Sequence, residues 1–250
     1  MVYQMRFLFC LVLLILFSPF VFAATEERVT RQTFELNEQG TVELSNVNGD
    51  VTIRGWDKKQ VDMKATKRGP SDYLDEIKIE IDAAPDRLTI ETKYPRRRRE
   101  TNVSVEYELM VPKHARLDSI TNVNGAIDVS GVQGEIRINT VNGSAEMDGT
   151  ASSVEAETVN GNITAKWSEF PADGAVKMRT VNGSLELELP SNVNANVKAS
   201  SMNGSIHTDF PITVQGRFLS RKLEGKIGGG GSSIDLSTIN GAIDILKTKP

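Results

Sequence analysis

Few side chains in this 250-residue sequence are of kinds that do covalent or metal chemistry. Its two histidines, His114 and His207, have no His, Cys or carboxylate at metal-ligand spacing, and no HExxH or GxSxG arrangement occurs. Arg96, Arg97, Arg98 and Arg99 stand in a row between Pro95 and Glu100. Guanidinium groups at that density suit phosphates or carboxylates of an envelope polymer or a lipid head group. A solvated hairpin tip that keeps a strand edge from pairing has the same composition. Asp128, Glu146, Thr164, Glu186, Asp244 and His207 each follow an Asn-Gly asparagine by four residues. Stacked, they would form an acidic column, usable as a cation or polysaccharide-hydrolysis site or simply as a solvated face. Lys177, Arg179 and Lys198 are expected to relieve its repulsion. The run Gly228–Gly231 is not a phosphate loop, because Gly225-Lys226 is followed by Ile227 and then a strand over 233–236. No catalytic, cofactor-binding or metal-binding residue is assigned, and no cofactor.

These groups hang on a repeat. Asn-Gly recurs at Asn48, Asn124, Asn142, Asn160, Asn182, Asn203 and Asn240. An apolar residue precedes each asparagine: Val47, Val123, Val141, Val159, Val181, Met202 or Ile239. Before that comes Asn46, Asn122, Thr140, Thr158, Thr180, Ser201 or Thr238. Apolar residues also recur four before and three and five after the asparagine, with Thr208 the polar exception. Period-two alternation on both sides marks two half-buried strands. Asn-Gly between them tolerates positive φ, so Gly143 and Gly161 are expected in that region and the chain is expected to turn there. Spacings of 18, 18, 22 and 21 residues from Asn124 to Asn203, with Gln133-Gly134 midway in one, suit coils stacked each on the last. The competitor is an antiparallel meander or sandwich, since Asn-Gly is also a strong hairpin signal.

The expected fold is therefore all-β: a single-stranded β-solenoid, or β-helix-like repeat, taken as right-handed, with an inserted or edge antiparallel region. That region falls between Asn48 and Asn124. Strands are expected over 60–66, 77–81, 87–94 and 102–111, with one helical turn at 71–76 that Ser71 would N-cap. Such an insertion could cap the first coil.

Phe7 to Phe22 is apolar apart from Cys10, Ser18 and Pro19, Arg6 precedes it, and Val21-Phe22-Ala23 offers a peptidase site. The stretch is short for a membrane span, so cleavage is expected after Ala23. Cys10, the only cysteine, leaves with it, so the mature chain has neither thiol nor disulfide. The balance becomes 28 basic against 33 acidic residues, which gives no electrostatic case for nucleic acid. The organisation is then a signal peptide at 1–23, an N-terminal β region at 24–118 with the first repeat and inserted strands, and solenoid repeats at 119–250.

The segments from Asn46 to Trp56, Val105 to Pro112 and Gly228 to Ile243 resemble the bacterial putative-adhesin family of β-strand-repeat proteins, in the family's order and over nearly all the mature chain. The resemblance implies a β-helix-like fold, an exported or envelope location and no established enzymatic activity. It supplies no catalytic or binding motif. Some relatives are linked to envelope stress. The expected function is a non-enzymatic, adhesin-like binding or scaffolding protein of the cell envelope, periplasmic or extracellular. Its partner would be an unidentified envelope polymer, surface or protein, not nucleic acid, with membrane contact only through an uncleaved signal segment. The alternatives are a polysaccharide-active enzyme on a β-solenoid and an envelope-stress-associated structural protein.

Overall fold

The computed structural model describes residues 25–95, 103–149, 153–214 and 221–248. The signal peptide expected at 1–23 and Arg96 to Arg99 lie outside the described residues. The chain opens with β1 (Glu26–Glu35), then β2 (Thr41–Ser45) and β3 (Val51–Trp56) flank the first Asn-Gly. The inserted stretch holds β4 (Gln60–Gly69), α1 (Ser71–Leu74), β5 (Lys78–Ala84), β6 (Arg87–Lys93) and β7 (Ser104–Pro112). Successive coils follow. They couple β8 (Arg116–Asn124) to β9 (Ile127–Ser130), β10 (Ile136–Asn142) to β11 (Ala145–Asp148), and β12 (Val154–Asn160) to β13 (Ile163–Lys166). Next come β14 (Ala175–Asn182) with β15 (Leu185–Leu189), and β16 (Ala195–Asn203) with β17 (Ile206–Thr208). The chain finishes through β18 (Ile212–Val214), β19 (Lys222–Ile227), β20 (Ser232–Asn240) and β21 (Ile243–Lys247).

Each strand before an Asn-Gly joins one sheet and each strand after it joins the other. One sheet runs β18-β19-β16-β20-β14-β12-β10-β8-β2-β6-β5, and the facing sheet runs β1-β4-β7-β3-β9-β11-β13-β15-β21-β17. Equivalent residues of neighbouring coils pair in parallel and in register: Asn142 with Asn160, Asn160 with Asn182, Ala145 with Ile163, and Ile163 with Leu185. A meander would have made these pairs antiparallel, so the solenoid reading holds. Antiparallel pairing is confined to the ends, where β4 and β1 extend one sheet past β7, β5 extends the other past β6, and β19 and β18 close the far end past β16.

The alternation seen in the sequence becomes the core. Val51, Ile127, Ala145, Ile163, Leu185 and Ile243 form one buried row across the facing sheet, opposite Leu44, Ile120, Ile138, Ala156, Met178, Leu236 and Ala199. In the coil that buries the small Ala156 and Ala165, Trp167, fully buried, follows two residues after Ala165 and meets Phe170 edge-on at 5.4 Å. The inserted stretch is itself a coil, since β6 pairs with β2 and β7 with β3 in parallel. Its helical turn is shorter than expected. Pro70 occupies the cap position with no side-chain cap bond, and Ser71 Oγ instead accepts from Arg28 Nη2 at 3.1 Å.

The coils do not stack each on the last. β8 and β9 pack directly on β2 and β3, leaving the inserted coil on the outside. At the other end, β20 and β21 lie between the Asn182 coil and the Asn203 coil, so the last coil in sequence is second to last in space. The four-glycine run makes this crossing. β19 is antiparallel to β16 on its outer side, whereas β20 is parallel to β16 on its inner side, so the chain must pass around the start of β16. Gly228 (φ 59°) and Gly230 (φ 74°) take left-handed conformations there. The Gly229 amide donates to Asn194 Oδ1 at 2.8 Å, and Ser232 Oγ donates to the Pro171 carbonyl at 2.8 Å.

The parallel pairs that join the Asn203 coil to the body of the solenoid all run through this wedge. Deleting residues 232–250 should therefore expose the edges of β14, β15, β16 and β17 together. Hydrogen exchange is expected to show lost protection over 195–208 with 127–148 little changed; unchanged protection at 195–208 would contradict the wedge.

Candidate functional site

The repeated corner is the feature that every Asn-Gly coil presents. Strand alternation sends the residue two before each asparagine inward and the residue just before it outward. The inward set, Asn46, Asn122, Thr140, Thr158, Thr180, Ser201 and Thr238, is buried and polar. For Asn122, Thr158, Thr180, Ser201 and Thr238 the partner is the carbonyl of the corner glycine in the adjacent coil, while Asn46 Nδ2 donates to Val105 O at 2.9 Å. Thr158 Oγ1 donates to Gly143 O at 3.1 Å, Thr180 to Gly161 O at 3.0 Å, Thr238 to Gly183 O at 3.0 Å and Ser201 Oγ to Gly241 O at 2.9 Å. Asn122 Nδ2 reaches both Gly49 O at 2.9 Å and its own coil's Gly125 O at 3.2 Å. Thr140 Oγ1, which would otherwise serve Gly125, is left buried without a partner.

The glycine is required by close approach. A Cβ at Gly125, Gly143, Gly161, Gly183, Gly241 or Gly204 would overlap the carbonyl oxygen of Gly49, Gly125, Gly143, Gly161, Gly183 or Gly241 respectively. Gly143 and Gly161 lie outside the left-handed φ region, contrary to the expectation of a positive-φ turn. Gly183 and Gly241 (both φ 159°) are near-extended, whereas Gly49 (φ 115°) and Gly125 (φ 138°) do take positive φ, so the expectation is met at those two corners and fails at Gly143 and Gly161. Left-handed glycines do occur at the opposite corner, at Gly131 (φ 65°) and Gly149 (φ 69°).

The asparagines form a ladder that sequence reasoning missed. Nδ2 of Asn124 donates to Oδ1 of Asn48 at 2.7 Å, and the chain of bonds continues through Asn142, Asn160, Asn182 and Asn240 to Asn203, each step between 2.7 and 2.9 Å. One signal could have revealed it. A turn accepts Asp or Gly in this place, but only a carboxamide both donates and accepts along a column, and all seven copies are Asn. In the inserted coil Thr92-Lys93-Tyr94 falls where Thr-Val-Asn would stand, and Tyr94 Oη donates to Asn48 O at 3.1 Å. The arginine run that was expected to make an anionic contact begins two residues later, outside the described residues.

Beside the ladder the outward apolar residues make a second row. Val141 is 39% exposed, Val159 41%, Ile239 39% and Met202 62%, with half-buried Val47, Val123 and Val181 in register. An open groove of about 430 Å³ runs beside the middle of this row, lined by Val159, Val181, Ile239, Glu157, Arg179 and Asn139, among others. Farther along the same face the charges are paired. Arg137 reaches Asp118 at 2.6 Å, Glu135 at 3.2 Å and Glu155 at 3.3 Å, while Lys177 contacts Glu155 and lies 3.3 Å from Glu157. Lys177, and then Arg137, hold the Glu155 carboxyl below its ordinary range. A glycosidase acid needs its carboxyl shifted the other way.

The acidic column is real and lies on the opposite face of the solenoid. Asp128, Glu146, Thr164, Glu186, Asp244 and His207 are in register along the facing sheet. The cations expected to relieve it do not reach it. Lys177, Arg179 and Lys198 belong to β14 and β16, before the asparagine, and so stand on the other sheet. Lys166, 3.5 Å from Glu188, and His207, 3.4 Å from Asp209, pair on this side, and farther along the same sheet Lys64 pairs with Glu108 at 2.7 Å and Arg68 with Glu27 at 3.0 Å. The Asp128 carboxyl is pushed up by partial burial and then by the charges of Glu146 and Asp50. Among the described residues no group of three or more His, Cys, Asp or Glu is placed to hold a metal ion.

With this geometry in view, the family model described as Toastrack DUF4097 matches residues 35–246. The chain belongs to that family. A solved structure described as a putative cell adhesion protein from Clostridium sporogenes is 15% identical, with a TM-score of 0.57 over 89% of this chain and 100% of that one. A putative adhesin from Bacteroides fragilis is 8% identical, with a TM-score of 0.34 over 88% and 97%. Of the two, the first superposes well enough to speak for the fold. No curated protein matches the chain in sequence. Among the described residues of this Toastrack chain no helix is long and apolar enough to cross a membrane.

Two measurements probe the corner and the column. Thr158→Val should cost about 1–3 kcal/mol, because it leaves the Gly143 carbonyl without its donor, whereas Thr140→Val should be near neutral, its hydroxyl having no bond to lose. Equal costs in chemical denaturation would contradict the carbonyl-capping role. Asp128→Asn should raise Tm at neutral pH. Because the Asp128 pKa is raised on folding, the ionised carboxylate is the destabilised form, so the advantage should shrink as pH falls through the carboxylate range. An advantage independent of pH would rule out the charge as its cause.

Proposed function

We propose that this protein is an exported, non-enzymatic binding or scaffolding module of the bacterial cell envelope, adhesin-like in use, whose partner is a repetitive envelope polymer. The observation that carries the reading is the pair of parallel rows on one face: seven outward Val, Ile or Met side chains beside seven hydrogen-bonded asparagines. Neighbouring strands repeat every ~4.8 Å. A surface that repeats one apolar and one amide group at that interval offers the same contact many times, which suits an extended chain of like units better than a single small molecule. Carboxamides can exchange hydrogen bonds with hydroxyl or amide groups of such a chain, and the apolar row can cover its less polar faces. Export is supported by the N-terminal apolar segment ending at Val21-Phe22-Ala23. The structural neighbours named as adhesins point in the same direction.

The test is cosedimentation of the mature protein with purified peptidoglycan and with outer-surface polysaccharide, comparing wild type with a Val141→Glu/Val159→Glu variant. Both valines point outward, so the variant should keep its thermal transition. About tenfold weaker binding to one polymer is expected if the row is the contact. Changing Arg96 to Arg99 to Ser provides the second arm. Loss of binding in that variant alone would move the contact from the row to the arginines, and no binding of wild type to either polymer would refute the polymer reading.

A further inference from the structure

We propose that Asn203-Gly204 is a spontaneous modification site, the one Asn-Gly of the ladder in folded protein that converts preferentially to aspartate and isoaspartate. Asparagine followed by glycine is the pair most open to this reaction, since glycine leaves its backbone nitrogen unhindered. The Gly nitrogen attacks the Asn side-chain carbonyl carbon and forms the N–Cγ bond of a succinimide. The Cγ–Nδ2 bond breaks, and ammonia leaves with the proton the glycine amide gave up. Water then adds to either imide carbonyl, giving aspartate or, with the main chain rerouted through Cγ, isoaspartate.

At Asn142, Asn160 and Asn182, inside the stack, both reacting groups are held, and at Asn240 the side chain is held from both sides. The amide of Gly143 donates to the Asn160 carbonyl at 3.1 Å, that of Gly161 to Asn182 O at 3.0 Å, and that of Gly183 to Asn240 O at 2.9 Å. The matching side chains are fixed from both sides, each giving its Nδ2 to one neighbour and receiving another on its Oδ1. Asn203 closes the row. It donates to Asn240 at 2.9 Å, but among the described residues no further asparagine donates to it. The strand beyond it, β19, is antiparallel, its register ending at Lys222 opposite Ser200 with one further bond from the Ser201 amide to Arg221 O at 3.0 Å, so among the described residues no parallel coil offers a carbonyl to the Gly204 amide. Met202 beside it is 62% exposed, more than any other member of its row among the exposed apolar side chains.

The chain contains its own controls. Asn142, Asn182 and Asn203 are all followed by Gly-Ser, so local sequence downstream is the same and position in the ladder differs. The change would also have a structural consequence. A carboxylate at 203 cannot donate to Asn240 Oδ1, and the extra main-chain carbon of isoaspartate would shift the register of β17, the edge strand that follows.

The test is peptide mapping by mass spectrometry of the mature protein held at mildly alkaline pH, in buffer and in denaturing urea. In buffer, conversion at Asn203 is expected about tenfold ahead of Asn142 and Asn182, the effect on rate of one hydrogen bond's hold on the reacting groups. In urea the three sites should converge. Equal rates at the three sites in buffer would overturn the proposal. So would an excess at Asn203 that persists in urea, because it would place the cause in the local sequence rather than in the end of the ladder.

Discussion

The whole stack depends on one close contact, the α-carbon of a corner glycine resting against the carbonyl oxygen of the corner glycine in the coil before it. Any Cβ there would overlap that oxygen. The contact lets successive corners approach at the spacing the parallel ladders demand, and it turns the glycine carbonyl toward the interior. An inward carbonyl in an apolar core needs a donor. The Thr, Ser or Asn two residues before the asparagine supplies it at most corners, and at Gly125 Asn122 does so in place of the unpartnered Thr140. Three of the four residues in each Thr-Val-Asn-Gly unit are thereby assigned: a donor inside, a spacer-free α-carbon at the corner, and an amide outside that joins the ladder. The fourth, the outward Val, Ile or Met, has no bond to make within the fold. That is why the apolar row is the part of the corner most readily spent on a partner.

Much of this was legible in the sequence. The period-two alternation either side of Asn-Gly gave the two buried rows, and the regular spacing favoured stacked coils over a meander. The face of the acidic column was also readable, because four residues after a fixed point always falls on one side of a strand. What remained hidden depended on the third dimension. Positive φ and close approach are both met by glycine, so the letter at Gly143 does not say which is needed; the position of the Gly125 oxygen does. The expected relief of the acidic column by Lys177 and Arg179 failed for a related reason. Those residues are near the acids in number, but the corner between them transfers the chain to the other sheet.

Stacking order was the least legible feature, because in-register parallel coils are interchangeable as far as a local pattern can tell. The Asn240 unit carries the same Thr-Ile-Asn-Gly corner as its neighbours, with Thr238 bonded to Gly183 and Asn240 to Asn182. That corner fits wherever two compatible edges lie a strand's width apart. What directs it between the Asn182 and Asn203 coils is the chain before it, β19 turned back on β16 and four glycines able to carry the backbone around the end of that strand. The glycine run thus acts on the fold at long range. It sets which corner ends the ladder, and the corner left at the end is Asn203 rather than the last one made.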